Sequence, residues 1–425
     1  MPPITSFSSH DALVLGAGIV GTCTALHLQQ RGLSVCLVDR QDPGTGTSSG
    51  NAGLIERASV VPYAFPQSPL ALLRYASNLR ADVHFQWRAL PALTPWLWRY
   101  WRESAPAPLE RAAHDMLPLI ERCVSEHQPL IEAAHLAHLV RTQGWIDIYR
   151  APRAFAQAAA EGRALAARHQ LQLDVLDGTA LKARESGFAP GAAMAGGLHW
   201  RDPWTVSAPA RLVQGYAELF ARRGGTVLRA DASGLRQSED GAWCLNTPAA
   251  TLRARHVVIA LGPDAGALCQ RLGYRLPLAH KRGYHLHYRI TPETPAPEHP
   301  LCDSRAGFVL AAMERGLRLT TGVELALPDA PPNHVQIDRA ERIARRYWPL
   351  GERVEAEPWM GRRPCTPDMR PIVGAAPRHQ GLWFNFGHAH HGLTLGPACA
   401  RLLAELICGE PTFCNPVPYA AQRFL

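Results

Sequence analysis

Residues 12–21 read ALVLGAGIVG, an apolar run that passes directly into three closely spaced glycines. The apolar part predicts a short strand over 12–15, and the residues after the glycines predict a helix over about 19–30. A second apolar run, 34–38, predicts another strand, and it ends at Asp39. The order strand, glycine turn, helix, strand indicates a βαβ unit of the kind that binds a dinucleotide.

The three glycines, Gly16, Gly18 and Gly21, have the spacing G-x-G-x-x-G. In such a turn the first glycine permits the tight bend, the second lets backbone N–H groups approach a pyrophosphate, and the third lets helix and strand pack closely. Asp39 stands 18 residues after Gly21. A carboxylate there accepts hydrogen bonds from a ribose diol and repels a 2′-phosphate, which argues against NADP.

This fingerprint alone leaves NAD and FAD as alternatives, since the part of the cofactor that it binds is the same in both dinucleotides. Arg40 is followed by the small-residue stretch GTGTSSGNAG over 44–53. Hydroxyls and closely spaced N–H groups in such a stretch suit a second phosphate and a flat ring. A flexible surface loop is the competing interpretation of the same residues.

Composition restricts the class of protein. The chain has 425 residues, 47% hydrophobic and 19% charged, which indicates a folded protein of about two or three domains. The net charge is +8, yet the basic residues form no compact block, so we expect no nucleic-acid partner. Ten cysteines without a Cys-x-x-Cys pair argue against zinc and dithiol chemistry, and we expect no metal site. No signal peptide or membrane-length apolar run is visible, which predicts a cytoplasmic protein.

Several motifs far apart in the chain resemble one known family, the FAD-dependent D-amino-acid oxidase superfamily. GAGIVG, VCLVDR (35–40) and TSSGNAG (47–53) resemble its N-terminal signature, and VVIALGP (257–263) resembles its internal strand. WMGRRPCTPD (359–368) and GHAHHGLTLGP (387–397) resemble its C-terminal signatures. Within the superfamily the chain is most similar to bacterial D-amino-acid dehydrogenases and D-hydroxyproline dehydrogenases.

The resemblance implies FAD as the cofactor and an α/β (α+β) fold, in which an antiparallel-sheet substrate domain is inserted into a Rossmann-like FAD-binding domain. The flavin signatures lie at both ends of the chain, so we expect a discontinuous FAD-binding domain. Its segments are 1–60, 151–272 and 355–425, and the substrate domain comprises 61–150 and 273–354.

The resemblance also implies a reaction. A small D-amino or imino acid, such as D-proline or hydroxy-D-proline, would be oxidised at its C–N bond by hydride transfer from Cα to flavin N5, giving an imino product. One alternative is a glycine- or sarcosine-type oxidase that uses oxygen. Another is a flavin- or NAD-binding protein without catalysis.

Four residues are candidates for the chemistry. Arg363 falls on the family position that holds the substrate carboxylate, and a guanidinium suits that role because it makes two charge-assisted bonds. Tyr284 and Tyr288 share one face of a predicted strand and are candidates to close the pocket. His388 flanks the flavin segment. The residues expected to bind the cofactor are Gly16, Gly18, Ile19, Val20, Gly21, Asp39, Arg40, Ser48, Ser49, Asn51, Ala52, Gly53, Ala232, Ala260, Gly262, Gly387, His388, Gly392, Leu393 and Thr394.

An aromatic segment spans 85–101 and contains Phe85, Trp87, Trp96, Trp98, Tyr100 and Trp101. Core packing is the leading interpretation, because tryptophan is mostly buried in folded proteins. A partner face, or a peripheral contact with the inner membrane that passes electrons to quinone, is the alternative. The other expected partner is the small amino-acid substrate. The sequence does not indicate an oligomeric state.

Overall fold

The computed structural model describes residues 7–248 and 250–425. Its strands are β1 (Phe7–Leu15), β2 (Val35–Asp39), β3 (Leu54–Ile55), β4 (Val83–Phe85), β5 (Val140–Arg141), β6 (Trp145–Tyr149), β7 (Leu173–Asp177), β8 (Gly196–Trp200), β9 (Trp204–Val206), β10 (Thr226–Arg229), β11 (Leu235–Gln237), β12 (Trp243–Asn246), β13 (Thr251–Ile259), β14 (Ala279–Tyr288), β15 (Leu301–Asp303), β16 (Phe308–Met313), β17 (Gly316–Thr321), β18 (Val323–Leu325), β19 (Trp359–Cys365), β20 (Ile372–Ala375) and β21 (Leu382–Phe386).

The helices are α1 (Ile19–Gln30), α2 (Pro69–Ala76), α3 (Leu90–Glu103), α4 (Pro106–Glu121), α5 (Cys123–Ala133), α6 (Pro152–His169), α7 (Gly178–Arg184), α8 (Pro209–Arg222), α9 (Ala265–Arg271), α10 (Val335–Ala344) and α11 (Gly392–Cys408).

The first sheet carries the glycine turn. Its strand order is β10-β2-β1-β13-β12-β11, and β21 adds to β13 while β20 pairs with β21. The pairs of β1 with β2 and with β13 are parallel. Strand β1 is buried on both faces: Ala12 and Val14 belong to one apolar core, and Leu13 and Leu15 to the other. A near-continuous apolar run is what a parallel strand covered on both faces requires.

The second sheet has the strand order β4-β18-β14-β17-β16-β15-β6-β8-β7, and β19 pairs with the other side of β14. Most of its pairs are antiparallel. One face packs on α10 through an apolar core that includes Leu286, Leu310 and Ile337. The fold class expected from the sequence, a Rossmann-like sheet together with an antiparallel sheet, is confirmed.

The chain is divided between the two sheets differently from the expected boundaries. The range 151–272 was expected to belong to the FAD-binding domain. Its strands β7 and β8 instead join the second sheet, where β8 pairs antiparallel with both β6 and β7. Strand β19 lies in the range 355–425, which was also expected to belong to the FAD-binding domain, but it pairs with β14 in the second sheet. Helices α4 and α5 lie in the range 61–150 but pack with α11 in the core of the first sheet.

Candidate active site between the two sheets

A cavity of about 1650 Å³ lies between the sheets and is lined by residues from both. Drug-sized ligands occupy pockets of roughly 300–1,000 Å³, so this cavity has room for a dinucleotide and a small substrate together. Of the residues predicted from the sequence, sixteen line it: Gly16, Gly18, Ile19, Val20, Asp39, Arg40, Ser48, Asn51, Ala52, Ala232, Ala260, Gly262, Arg363, His388, Gly392 and Leu393.

The glycine turn has the geometry that a pyrophosphate needs. Gly16 has φ +110°, and a Cβ there would lie 2.4 Å from the carbonyl oxygen of Ala260. A Cβ on Gly21 would lie 1.8 Å from the carbonyl oxygen of Gly16, so strand and helix approach as closely as backbone allows. Gly18 differs, because a Cβ there would meet only the hydroxyl of Ser48, at 3.2 Å. The space beside Gly18, at the start of α1, therefore belongs to the cavity, where the positive end of the helix favours an anion.

Asp39 is held at the end of β2 by two backbone donors. Its Oδ2 accepts from the N–H of Ala17 at 2.7 Å, and its Oδ1 accepts from the N–H of Gln41 at 2.9 Å. Asp39 lines the cavity, and each of its oxygens can accept a further hydrogen bond, as recognition of a ribose diol requires. Nearby, Asp264 accepts from both Arg40 and Arg362 and so ties the first sheet to β19.

The small-residue stretch forms a short turn whose backbone is held by a residue of the second sheet. The Arg318 guanidinium donates to the carbonyl oxygens of Ser49, at 3.1 Å, and Asn51, at 2.7 Å. Its Nε donates to His287, whose other ring nitrogen contacts Glu355 at 2.7 Å. Burial lowers the pKa of Arg318 to about 10, so the guanidinium stays charged at neutral pH. Sequence patterns gave no sign of this contact.

Some predicted cofactor residues lie behind the cavity wall. The hydroxyl of Ser49 donates to Gly46, the N–H of Gly53 donates to Asn51, and the hydroxyl of Thr394 donates to Leu54. Gly21, Ser49, Gly53, Gly387 and Thr394 do not line the cavity. The contact of these five residues with the cofactor therefore stays a prediction, and in the structure three of them hold the backbone of the neighbouring turns.

Arg363 projects from β19 across β14 into the cavity. Its guanidinium donates to the carbonyl oxygens of Thr321, at 2.9 Å, and Gly322. The side chain lies over Gly283, where a Cβ would come within 2.3 Å of Nη2. Among the described residues, no carboxylate lies within 4.0 Å of this guanidinium, and burial lowers its pKa. Arg363 is therefore a desolvated cation without an anionic partner, facing a cavity of ligand size.

Tyr284 and Tyr288 do not line the cavity, which corrects the sequence prediction. The Tyr284 hydroxyl donates to Glu324 and accepts from the N–H of Asn333 at 3.0 Å. Both tyrosines pack in the core beside α10. The period-two alternation of β14 was predicted correctly, but its other face, which contains Lys281 and Gly283, is the one that lines the cavity.

Three histidines line the cavity near the start of α11. His388 has a buried Nε2 with no partner among the described residues, and burial lowers the pKa of His388 to about 3. The rings of His390 and His391 lie 3.7 Å apart between centroids, and burial lowers the pKa of each. All three are therefore neutral at physiological pH. The His391 Nδ1 lies 3.8 Å from the Glu56 carboxylate.

The structure adds lining residues that sequence reasoning missed. Lys281 holds its ammonium 3.9 Å from the centroid of the Tyr100 ring, and the Tyr63 ring lies 5.0 Å from that of His390. Glu56 follows the buried pair of β3, and Asp147 lies within the apolar strand β6. A single acidic residue in or beside a buried apolar strand was the available signal for both. Burying a carboxylate costs folding free energy unless it has a partner, so such a residue indicates a functional site.

Comparisons with known proteins agree with this geometry. The family model described as DAO, FAD dependent oxidoreductase, matches residues 11–406. The chain is 31% identical to D-amino acid dehydrogenase from Paramagnetospirillum magneticum over 97% of this chain and 98% of the other. It is 28% identical to D-amino-acid oxidase from Bradyrhizobium diazoefficiens, over 97% and 98% respectively.

Among solved structures, glycine oxidase from Geobacillus kaustophilus shares the fold with a TM-score of 0.72 at 22% identity, covering 98% of this chain and 99% of that one. The glycine turn, the Asp39 carboxylate and the small-residue turn all fit a flavin dinucleotide. The chain therefore belongs to the DAO family of FAD dependent oxidoreductases, and FAD is its cofactor.

Proposed function

We propose that this enzyme oxidises the Cα–N bond of D-amino acids that have a free α-carboxylate. The observation that supports this proposal is Arg363, a half-buried guanidinium that lines the cavity and has no carboxylate partner among the described residues. The α-carboxylate of a substrate would supply the negative charge that pairs with Arg363. We infer the D configuration of the substrate from the relatives that are named D-amino acid dehydrogenase and D-amino-acid oxidase.

The residues around the cavity give such a substrate one orientation. Arg363 keeps three donors after its bonds to Thr321 and Gly322, and two of them can hold a carboxylate in a plane, which lysine does not do. The neutral ring of His388 presents its Nε2, which has no partner among the described residues, to the amine, so the amine can be held without a second positive charge. FAD, when bound, supplies the two-electron acceptor.

A substrate screen tests the proposal. Anaerobic mixing with D-alanine, D-methionine, D-proline and cis-4-hydroxy-D-proline is expected to bleach the flavin, whereas the L enantiomers leave it oxidised. D-proline and hydroxy-D-proline are included because the sequence resemblance extends to enzymes for cyclic imino acids. Bleaching by glycine and sarcosine only, with oxygen as the efficient acceptor, would replace this proposal with the oxidase alternative. Bleaching by none of them would contradict both.

We also infer that the electron acceptor is a quinone reached at a membrane surface. Leu70 and Leu73 on α2, and Trp87 and Trp98 farther along, are between 60% and 71% exposed. Leu72 of the same helix lines the cavity, so the exposed leucines lie next to it. Segment 66–103 has five arginines and two acidic residues, a charge balance that favours an anionic bilayer.

The exposed residues divide the aromatic segment in two. Trp96 and Tyr100 are buried, in agreement with the core interpretation, whereas Trp87 and Trp98 face outward. Within the described ranges, no helix is both long and apolar enough to cross a bilayer. Any membrane contact of these helices is therefore peripheral.

Replacing Leu70 and Leu73 together by Asp tests this inference. The double variant is expected to lose most of its co-sedimentation with vesicles of 30% phosphatidylglycerol. Burying two leucine side chains in the bilayer contributes about 5 kcal/mol of binding free energy, which the substitutions remove. Turnover with a soluble dye is expected to remain. Leu327, also exposed but on the loop after β18, gives the matched control Leu327→Asp. Equal vesicle binding by all three proteins would contradict the inference.

A further inference from the structure

The cavity contains a second charged region, of opposite sign to Arg363. Asp147 projects into it from β6, and its Oδ2 accepts from the indole N–H of Trp200 at 3.0 Å. Among the described residues, no Lys, Arg or His nitrogen lies within 4.0 Å of the Asp147 carboxylate. Asp147 is half-buried and lines the cavity, and burial raises its pKa to about 7. This carboxylate lacks a cationic partner, as Arg363 lacks an anionic one.

The surroundings of Asp147 suit an organic cation. Trp145 and Trp200 are directly opposite each other on β6 and β8, so both indoles share the cavity face with Asp147. Indole faces attract guanidinium and ammonium groups, most strongly where water is excluded. Glu56 lines the same cavity and adds a second carboxylate, close enough that it contributes to the raised pKa of Asp147.

A separate observation points to a ligand here. His391 is only 7% exposed, and its Nδ1 has no hydrogen-bond partner among the described residues. That atom lies 3.8 Å from the Glu56 carboxylate and lines the cavity. A buried ring nitrogen without a partner is costly, and a bound N–H donor would satisfy it.

The spacing between the two charged regions fits one class of substrate. Asp147 aligns with Cys302, Cys302 with Val309, and Val309 with Thr320, on four consecutive strands. Three strand spacings of ~4.8 Å separate Asp147 from the end of β17 by ~14 Å. The Arg363 guanidinium contacts the carbonyl of Thr321, at that end. An extended arginine or lysine spans ~7 Å between its charges, and a contact of ~3 Å at each end gives ~13 Å.

We propose that Asp147, together with the indoles of Trp145 and Trp200, selects D-amino acids with a cationic side chain, D-arginine and D-lysine, while Arg363 holds their α-carboxylate. This inference rests on the proposed function. Glu56 and the Nδ1 of His391 provide acceptors for further N–H groups of the same side chain. Short D-amino acids such as D-alanine do not reach Asp147.

The test compares D-arginine with D-citrulline, which has the same length and shape but an uncharged urea group. The wild type is expected to favour D-arginine in kcat/KM by ten- to a hundredfold, the usual value of a hydrogen bond to a charged group. Asp147→Asn is expected to reduce the D-arginine to D-citrulline ratio to near one. Asp174→Asn, the same change on strand β7, which β8 separates from β6 and which lies outside the cavity, is expected to keep the wild-type ratio.

A binding measurement covers the case in which Asp147→Asn fails to fold. Flavin spectral titration of the wild type with 5-guanidinopentanoate and its neutral analogue 5-ureidopentanoate measures recognition without turnover. Tighter binding of the guanidino acid supports the proposal, and equal binding overturns it. A ratio kept in Asp147→Asn overturns the assignment to Asp147. Oxidation of neutral D-amino acids without a preference for cations overturns this inference alone, whereas no oxidation of any D-amino acid overturns the proposed function itself.

Discussion

At the scale of single residues, charge without a partner is the informative feature. Arg363 and Asp147 both face the cavity, and neither has an oppositely charged group within 4.0 Å in the part of the chain that the structure describes. By contrast, Arg318 uses its donors on backbone carbonyls and a ring nitrogen, and so has a structural role. Burying an ion without its counter-ion is expensive, which makes the first two the best candidates for contact with substrate.

Replacing Arg363 with lysine tests this interpretation. Lysine keeps the charge but loses the planar fork, so we expect kcat/KM for D-alanine to fall by about ten- to a hundredfold, the equivalent of ~1.5–3 kcal/mol. FAD content is expected to stay at the wild-type level. Arg346→Lys, an exposed arginine just beyond α10, is the control and is expected to change neither quantity. Full activity of Arg363→Lys would show that the carboxylate is bound elsewhere.

At the scale of elements, the turn between β1 and α1 contains glycines that are required for different reasons. Gly16 cannot accept a side chain in the folded protein, since its Cβ would overlap Ala260. Gly18 can, because only the Ser48 hydroxyl lies within 4 Å of the Cβ position. The fold therefore requires the first glycine, whereas the cofactor requires the second.

Gly18→Ala is accordingly expected to fold but to retain little FAD. The added methyl group occupies the space where the phosphate approaches the start of α1. We expect the ratio of flavin to protein absorbance to fall several-fold, while the Tm of the apoprotein stays within about 2 °C of the wild-type apoprotein. Gly16→Ala serves as the contrast and is expected to lower the Tm of the apoprotein as well. Normal flavin content in Gly18→Ala would contradict this assignment.

At the scale of the whole molecule, buried histidines make stability depend on pH. Burial lowers the pKa of His27 to about 3, of His127 to about 4 and of His388 to about 3. In the unfolded chain these groups take up protons near pH 6.5, but in the folded protein they do not. Stability is therefore complete above pH 6.5 and is lost as the pH falls toward 4, by ~1.4 kcal/mol per pH unit for each histidine.

The expected result is a Tm that is nearly constant above pH 7 and falls steeply below pH 6.5. His127→Gln is expected to lower the Tm at pH 8, since His127 bonds Tyr216 and Leu393, but to make the slope below pH 6.5 shallower. His114→Gln, at a side chain that is 87% exposed, is the control and is expected to keep the wild-type slope. A Tm independent of pH between 4.5 and 7 would contradict the prediction.

The sequence predicted the parts of the fold that local pattern determines. Strand β1, α1 and β2 follow from apolar runs and glycines, and the signatures at both ends lead to one cavity. Alternation along β14 was correct, yet Tyr284 and Tyr288 face α10, because a period of two does not say which face is the core. Asp147 and Arg318 were missed because their importance depends on strands paired across long sequence separations.

The contact of Arg318 with the small-residue turn has a consequence for how this chain tolerates mutation. Arg318 binds carbonyl oxygens, which every amino acid possesses, so the contact does not depend on the side chain at position 49. The Ser49 side chain does not line the cavity, and among the described residues its hydroxyl bonds only to the carbonyl oxygens of Thr45 and Gly46. Substitutions at position 49 are thus expected to be tolerated, whereas substitutions at position 318 are not, even though only position 49 belongs to the recognisable motif.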